Sequence, residues 1–284
     1  MPSATGRAAL LAWADAQAAT LAANRAGVAA GSVEAVHRSR VAVRRLRVLF
    51  TTFAGLLAQD PGLRRDLRDL GLALGEVRDA DVWAEHVAEV LAELGADADP
   101  DSRDAVLAAA ASRRAAAGAA LAQVWDGAWA DGVRERLAAW RAAPGLHPDA
   151  DLPATLALSV PLATAVTRAA RAAARAGARP EEPDAWHDAR KAAKAVRYGY
   201  ELAGAVGAHP GRAPAWEAVT EALGELQDAT VSQALLRDLA PSAEGTWGLL
   251  LQAEQDRSKG ALRAGAEALT AALEQEARTP PAGA

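Results

Sequence analysis

The chain has 284 residues, a formal net charge of −5, no cysteine, and 51% hydrophobic but only 4% aromatic residues. This length suffices for a sizeable core, in one large domain or two ordinary ones. The lack of cysteine excludes disulfides and cysteine-based metal sites. No secretory signal pattern is present, and no apolar run approaches the roughly 18 uncharged residues of a membrane span, so we expect a soluble, cytoplasmic protein that does not enter the membrane.

Helical patterns follow one another along the whole chain, because alanine and leucine are abundant and runs of β-branched or aromatic residues are rare. In the first half they predict helices over 7–29, 32–58, 61–74, 78–94, 101–122 and 123–142. In the second half they predict helices over 154–177, 184–205, 212–225, 228–240 and 243–275. Ser32 and Asp60-Pro61 are predicted helix starts. The fold class is therefore predicted to be all-α.

Two segments of the first half recur in the second. Aligning His37 with His187 also pairs three cationic positions: Arg40 with Arg190, Arg44 with Lys194, and Arg47 with Arg197. Farther on, "LGEVRDADV" (74–82) matches "LGELQDATV" (223–231) in the same order. We therefore predict one domain over 1–276, made of two related halves at about 1–143 and 154–276, followed by a flexible tail over 277–284.

The cationic residues of each segment share one edge of a predicted helix. At about 100° per residue they fall within an arc of about 80° and extend over about 15 Å. The neighbouring face is apolar, so the arginine stems can pack at the edge of the core while the charged groups reach a groove. Lys191 and Tyr198 flank this edge in the second half.

These cationic edges lack nearby acidic residues. No Asp or Glu occurs between Ala35 and Gln59, or between Ala189 and Tyr200. A solvated basic face is the ordinary interpretation of such a helix, but like charges at i, i+4 repel, and here the pattern occurs twice. We therefore predict an anion site. Arginine pairs its planar donors with phosphate oxygens at every physiological pH, so a polymeric phosphate fits better than one small metabolite.

The two "LGE" segments are interpreted as helix junctions. Gly75 and Gly224 are expected to end one helix. Asp79 and Asp228 would then lie in the first turn of the next helix, where the helix dipole favours a carboxylate. Capping is their main expected role, and orientation of the neighbouring arginines is the second.

The segment "HRSRVAVRRLR" (37–47), the "LGEVRDADV" segment and their second-half counterparts resemble the motifs of the CHAD domain, the conserved histidine α-helical domain. The resemblance covers about 1–275. It implies two four-helix-bundle-like halves around a central basic groove or pore. It also implies non-catalytic binding of inorganic polyphosphate, without a cofactor or metal, and an association with polyphosphate granules.

Carried over position by position, the resemblance implies a set of polyphosphate contacts in each half. The first set is His37, Arg40, Arg44, Arg45 and Arg47, with Arg64, Arg65, Arg68 and Arg78 added. The second set is His187, Arg190, Lys191, Lys194 and Arg197, with Tyr198. Ala195 stands at the position of Arg45, and Glu217 and Glu221 replace basic residues, so we expect weaker binding by the second half or a ligand closer to the first. Charge reversal of Arg44 and Arg197 together is expected to abolish binding.

The residues by themselves leave other functions to consider. Phosphoryl transfer normally requires a carboxylate-held metal or a glycine-rich phosphate loop, and neither pattern is present, so we expect no enzyme activity. The histidines lack the spacing of metal ligands. RNA would also be attracted to the basic edges, although only Tyr198 and Tyr200 could stack on its bases there. An accessory subunit that partners a polyphosphate- or triphosphate-metabolising enzyme is a further alternative.

Overall fold

The computed structural model describes residues 4–240 and 244–278, which contain eleven α-helices and no β-strand. The first half contains α1 Gly6–Ala23, α2 Arg25–Ala29, α3 Val33–Thr51, α4 Pro61–Leu94, α5 Pro100–Trp125 and α6 Ala128–Ala142. The second half contains α7 Ala154–Ala157, α8 Ser159–Ala178, α9 Pro183–Gly204, α10 Ala213–Leu239 and α11 Gly245–Arg278. The predicted all-α fold class is confirmed. Every helix in the described ranges is too short or too polar to cross a membrane.

Side chains cap the helices where the sequence predicts their starts. The Ser32 hydroxyl accepts a hydrogen bond from the backbone N–H of Ala35 at 3.3 Å, at the start of α3. The Asp60 carboxylate accepts one from the N–H of Leu63 at 2.9 Å, with Pro61 as the first residue of α4. Such caps satisfy N–H groups that have no partner within the helix, and each contributes about 1 kcal/mol.

Helices α3 and α9 lie at the centre of the fold and contact each other. One hydrophobic cluster joins residues of both halves, among them Leu46 and Phe50 from α3 and Val196 from α9. The rings of Phe50 and Trp140 pack in an edge-to-face arrangement with centroids 5.0 Å apart. Truncation of Phe50 to alanine would cost about 3–5 kcal/mol. This shared core fixes the position of α3 relative to α9, and with it the position of their cationic edges.

Two predicted helix breaks are wrong. Helices α4 and α10 run without interruption through Gly75 and Gly224, so Asp79 and Asp228 lie in helix interiors and cap nothing. A glycine inside a helix costs about 1 kcal/mol relative to alanine. At Gly224 the missing side chain makes room for Arg190 of α9, whereas at Gly75 a Cβ would make only an ordinary contact with Arg40 of α3.

Other boundaries shift by several residues. Helix α3 ends at Thr51 and a short 3₁₀ turn follows it, whereas the prediction extended the helix to residue 58. Helix α11 continues to Arg278, so the first two residues of the predicted tail are helical, and 279–284 lie outside the described residues.

Candidate functional site

A central cavity of about 560 Å³ lies between α3, α4, α9 and α10, with one residue each from α5 and α11. Its wall is strongly basic, because eight arginines and lysines line it against three acidic residues. The cationic residues are Arg40, Arg44, Arg47, Arg113, Arg190, Lys191, Lys194 and Arg257, and the acidic ones are Glu76, Asp79 and Asp228. Positive charge is therefore concentrated at one place in a chain of net charge −5.

Arginines of α3 and α9 lie against glycines of α4 and α10. A Cβ added at Gly75 would lie 3.8 Å from Nε of Arg40, and one at Gly71 would lie 3.7 Å from Nη1 of Arg47. At Gly224 the corresponding distance to Nη2 of Arg190 is 3.1 Å. The "LGE" segments thus support the arginines of the site.

The two aspartates of these segments face the arginines. Nη2 of Arg40 donates a hydrogen bond to Oδ1 of Asp79 at 2.8 Å. Burial raises the pKa of Asp228, while the charge of Arg190 opposes this shift. Burial lowers the pKa of Arg190, and the charges of Arg44 and Arg40 lower it further. The aspartates therefore compensate only part of the positive charge.

Five basic residues of the central cavity form no ion pair within residues 4–240 and 244–278: Arg44, Arg47, Arg113, Arg190 and Lys194. Burial lowers the pKa of Lys194 to about 6, and the charges of Arg44, Arg190 and Arg40 contribute to this shift. Burial and the charge of Arg44 also lower the pKa of Arg47. These groups repel one another, so an anion among them would relieve the repulsion.

Arg45 and Arg197 do not line the central cavity. They share the carboxylate of Glu201, which accepts from Nη2 of Arg45 at 2.7 Å and from Nε of Arg197 at 2.9 Å. Arg197 also pairs with Glu217 and donates to Thr220. The expectation that these two arginines are uncompensated is wrong, because Glu201 directly follows the acid-free stretch of α9 and lies one turn beyond Arg197.

Tyr198 lies between these two arginines. Its ring centroid is 6.0 Å from Cζ of Arg45 and 5.6 Å from Cζ of Arg197. The residue lines the central cavity but is only 5% exposed. The aromatic ring of Tyr198 therefore contacts the two arginines of the protein itself.

The two aligned histidines have different environments. His187 lines the central cavity, and its Nδ1 lies 2.7 Å from Oε1 of Gln227. His37 is exposed and does not line it. Desolvation lowers the pKa of His37, and the nearby charge of Arg78 adds to this effect.

The remaining predicted residues of the first half lie outside the central cavity as well. Arg68 pairs with Asp69 at 3.1 Å and Arg78 pairs with Glu85 at 3.5 Å. Arg64 and Arg65 are exposed near the start of α4. In the second half, Lys191 lines the cavity and pairs with Asp188 at 2.7 Å.

Several residues of the central cavity were not predicted. Arg113 and Arg257 come from α5 and α11, outside the repeated segments. His86 also lines the cavity and pairs with Glu254. His86 lies two helical turns after Asp79 and therefore on the same face of a continuous α4. The sequence could have placed His86 at the site only if α4 had been predicted to continue through Gly75. Within the described part of the chain, no group of three or more His, Asp or Glu residues could hold a metal ion.

The family model of the CHAD domain matches residues 12–237. The chain belongs to the CHAD domain family. This family is associated with polyphosphate and triphosphate. No curated protein matches the chain.

Two solved structures show the same fold. PptA from Streptomyces chartreusis has a TM-score of 0.78 and 19% identity, over 94% of this chain and 100% of that one. The CHAD domain from the plant Ricinus communis has a TM-score of 0.69 and 24% identity, over 98% of this chain and 94% of that one. These similarities establish the helical architecture of this CHAD domain.

Proposed function

We propose that this CHAD domain binds inorganic polyphosphate in the central cavity and catalyses no reaction on it. The observation that carries the proposal is the group of five basic residues, Arg44, Arg47, Arg113, Arg190 and Lys194, which share the cavity and have no ion pair with any described residue. Phosphate oxygens are strong partners for such groups, and each charge-assisted hydrogen bond contributes about 1.5–3 kcal/mol.

The arrangement favours a chain of phosphates over a single one. On α3, the positions from Arg40 to Arg47 extend over about 10 Å along the helix axis. Arg190 and Lys194 line the same cavity from α9. One phosphate group could contact only part of this set and would leave the other cations repelling one another. A polymer with one negative charge per phosphate could contact all of them.

The cavity is less suitable for RNA. Recognition of single-stranded RNA normally uses exposed aromatic rings on which bases stack. The aromatic residues of the central cavity, Trp83 and Tyr198, are each only 5% exposed. Trp83 also donates a hydrogen bond from its indole nitrogen to Ser232 at 3.1 Å. Competition between long polyphosphate and single-stranded RNA tests this preference, and equal or tighter RNA binding would contradict it.

Charge reversal within the cavity tests the proposal directly. Since Arg197 pairs with carboxylates of the protein itself, the informative double substitution is Arg44→Glu with Arg190→Glu. We expect it to weaken polyphosphate binding by about 100-fold or more, because two charge-assisted contacts become repulsive. The matched control is Arg38→Glu with Arg237→Glu, two exposed arginines outside the cavity, which changes the net charge equally.

The readout is a titration with long-chain polyphosphate, accompanied by circular dichroism. Both double variants should keep the helical spectrum of the wild type. If the cavity variant bound polyphosphate as tightly as the control, the central cavity would not be the binding site. Recruitment to polyphosphate granules, or to enzymes that make or degrade polyphosphate, would follow from this binding.

A further inference from the structure

A second cavity of about 740 Å³ lies between α8, α9 and the end of α3, and we name it the α8 cavity. Thr51, Lys191 and Ala195 line both the α8 cavity and the central cavity. The two cavities therefore share a rim.

The α8 cavity has its own row of cations. Arg168, Arg171 and Arg175 line it from α8. Their spacing of i, i+3 and i+7 places them on one face of the helix, over about 10 Å. We name them the α8 row. All three are exposed, and none forms an ion pair with any described residue.

The charge around the α8 row is largely uncompensated. Helix α8 contains no Asp or Glu. Asp188, the acidic residue in the lining of the α8 cavity, is hydrogen-bonded to Lys191, which lowers its pKa. A helix that needs charge only for solubility commonly alternates glutamate with arginine at i, i+4. The absence of that alternation, in a chain of net charge −5, points to an anion as the partner of the row.

Ala195, at the rim shared by the two cavities, has a small side chain. Its counterpart in the first half is Arg45, whose long side chain reaches Glu201. A methyl group at 195 occupies much less of the shared rim than an arginine would. The substitution in the second half thus leaves room where the central cavity adjoins the α8 cavity.

We propose that a long polyphosphate chain leaves the central cavity past Lys191 and Ala195 and continues along the α8 row. This inference rests on the proposed function and extends it, because it assigns a second binding segment and a basis for chain-length preference. Short polyphosphates are bound by the central cavity alone. Long ones gain additional contacts with the α8 row.

The test compares two ligands and two triple variants. Arg168→Glu, Arg171→Glu and Arg175→Glu together remove the α8 row. The control triple, Arg237→Glu, Arg263→Glu and Arg278→Glu, changes the net charge by the same amount at exposed positions outside both cavities. Each protein is titrated with tripolyphosphate and with long-chain polyphosphate.

Relative to the control triple, the α8 variant should bind long-chain polyphosphate about tenfold more weakly, because three exposed ion contacts are lost. Its affinity for tripolyphosphate should equal that of the control. Equal affinity of the two triple variants for the long chain would overturn the inference and leave the proposed function intact. Failure of the wild type to bind either ligand would overturn the proposed function itself.

Ala195→Leu provides a second test that does not change charge. The larger side chain fills the shared rim, so we expect the affinity for the long chain to fall by a larger factor than the affinity for tripolyphosphate. An unchanged affinity for the long chain would show that it does not pass this rim. Circular dichroism confirms that the variant is folded.

Discussion

Lys194 should take up a proton when polyphosphate binds. In the free protein its pKa is about 6, because it is partly buried beside Arg44, Arg190 and Arg40. At pH 7.5 the amine is therefore largely neutral. Phosphate groups in the central cavity would favour the charged amine and raise its pKa toward the ordinary value near 10.5.

The magnitude follows from these two pKa values. A tenfold change in an ionisation constant corresponds to about 1.4 kcal/mol, so protonation of Lys194 in the free protein costs about 6 kcal/mol more than that of a lysine in water. Between pH 6 and the pKa of Lys194 in the complex, the bound protein holds up to one more proton than the free protein. In that window the association constant should fall by up to about tenfold for each unit rise in pH.

Calorimetry between pH 7.5 and 9, in buffers of different ionisation enthalpy, measures this uptake. The control is Lys194→Arg, which keeps the charge but stays protonated throughout. We expect uptake of nearly one proton by the wild type and of nearly none by the variant. Equal uptake by both proteins would refute the assignment to Lys194.

Two further predictions concern residues that support the site. Arg197→Ala should lower the free energy of unfolding by about 1–3 kcal/mol in a denaturant titration, because it removes contacts with three side chains. Its affinity for polyphosphate should stay near that of the wild type, and a loss like that of the Arg44/Arg190 variant would show that Arg197 contacts the ligand. Gly224→Ala should weaken polyphosphate binding by about tenfold, because its Cβ would displace Arg190. Gly75→Ala is the matched control, since its Cβ would make only an ordinary contact, and an equal effect of both alanines would contradict this mechanism.

Much of the fold was predictable from local patterns. Helix formers, the caps at Ser32 and Asp60, and turn-forming residues determine where most helices begin and end. The breaks predicted at Gly75 and Gly224 failed because glycine has two uses that look the same in a sequence. It can end a helix, or it can sit within one and admit a neighbour's side chain.

The candidate site was predictable only where it depends on helix periodicity. The spacing of Arg40, Arg44 and Arg47 on α3 placed all three at one edge, and the structure has all three in the central cavity. The pairing of Arg45 with Glu201 joins residues 156 positions apart, so no periodicity could reveal it. Arg113 and Arg257 reach the cavity through tertiary packing of α5 and α11, which the repeat does not describe.

The carboxylate shared by Arg45 and Arg197 ties the N-terminal half of the chain to the C-terminal half. It joins α3 to α9 beside the central cavity, and the side chain of Glu201 is only 18% exposed. The separation of the two cationic helices is thus set before any polyanion arrives. An incoming chain would meet a receptor that is already assembled, and little of the binding free energy would be lost to ordering it.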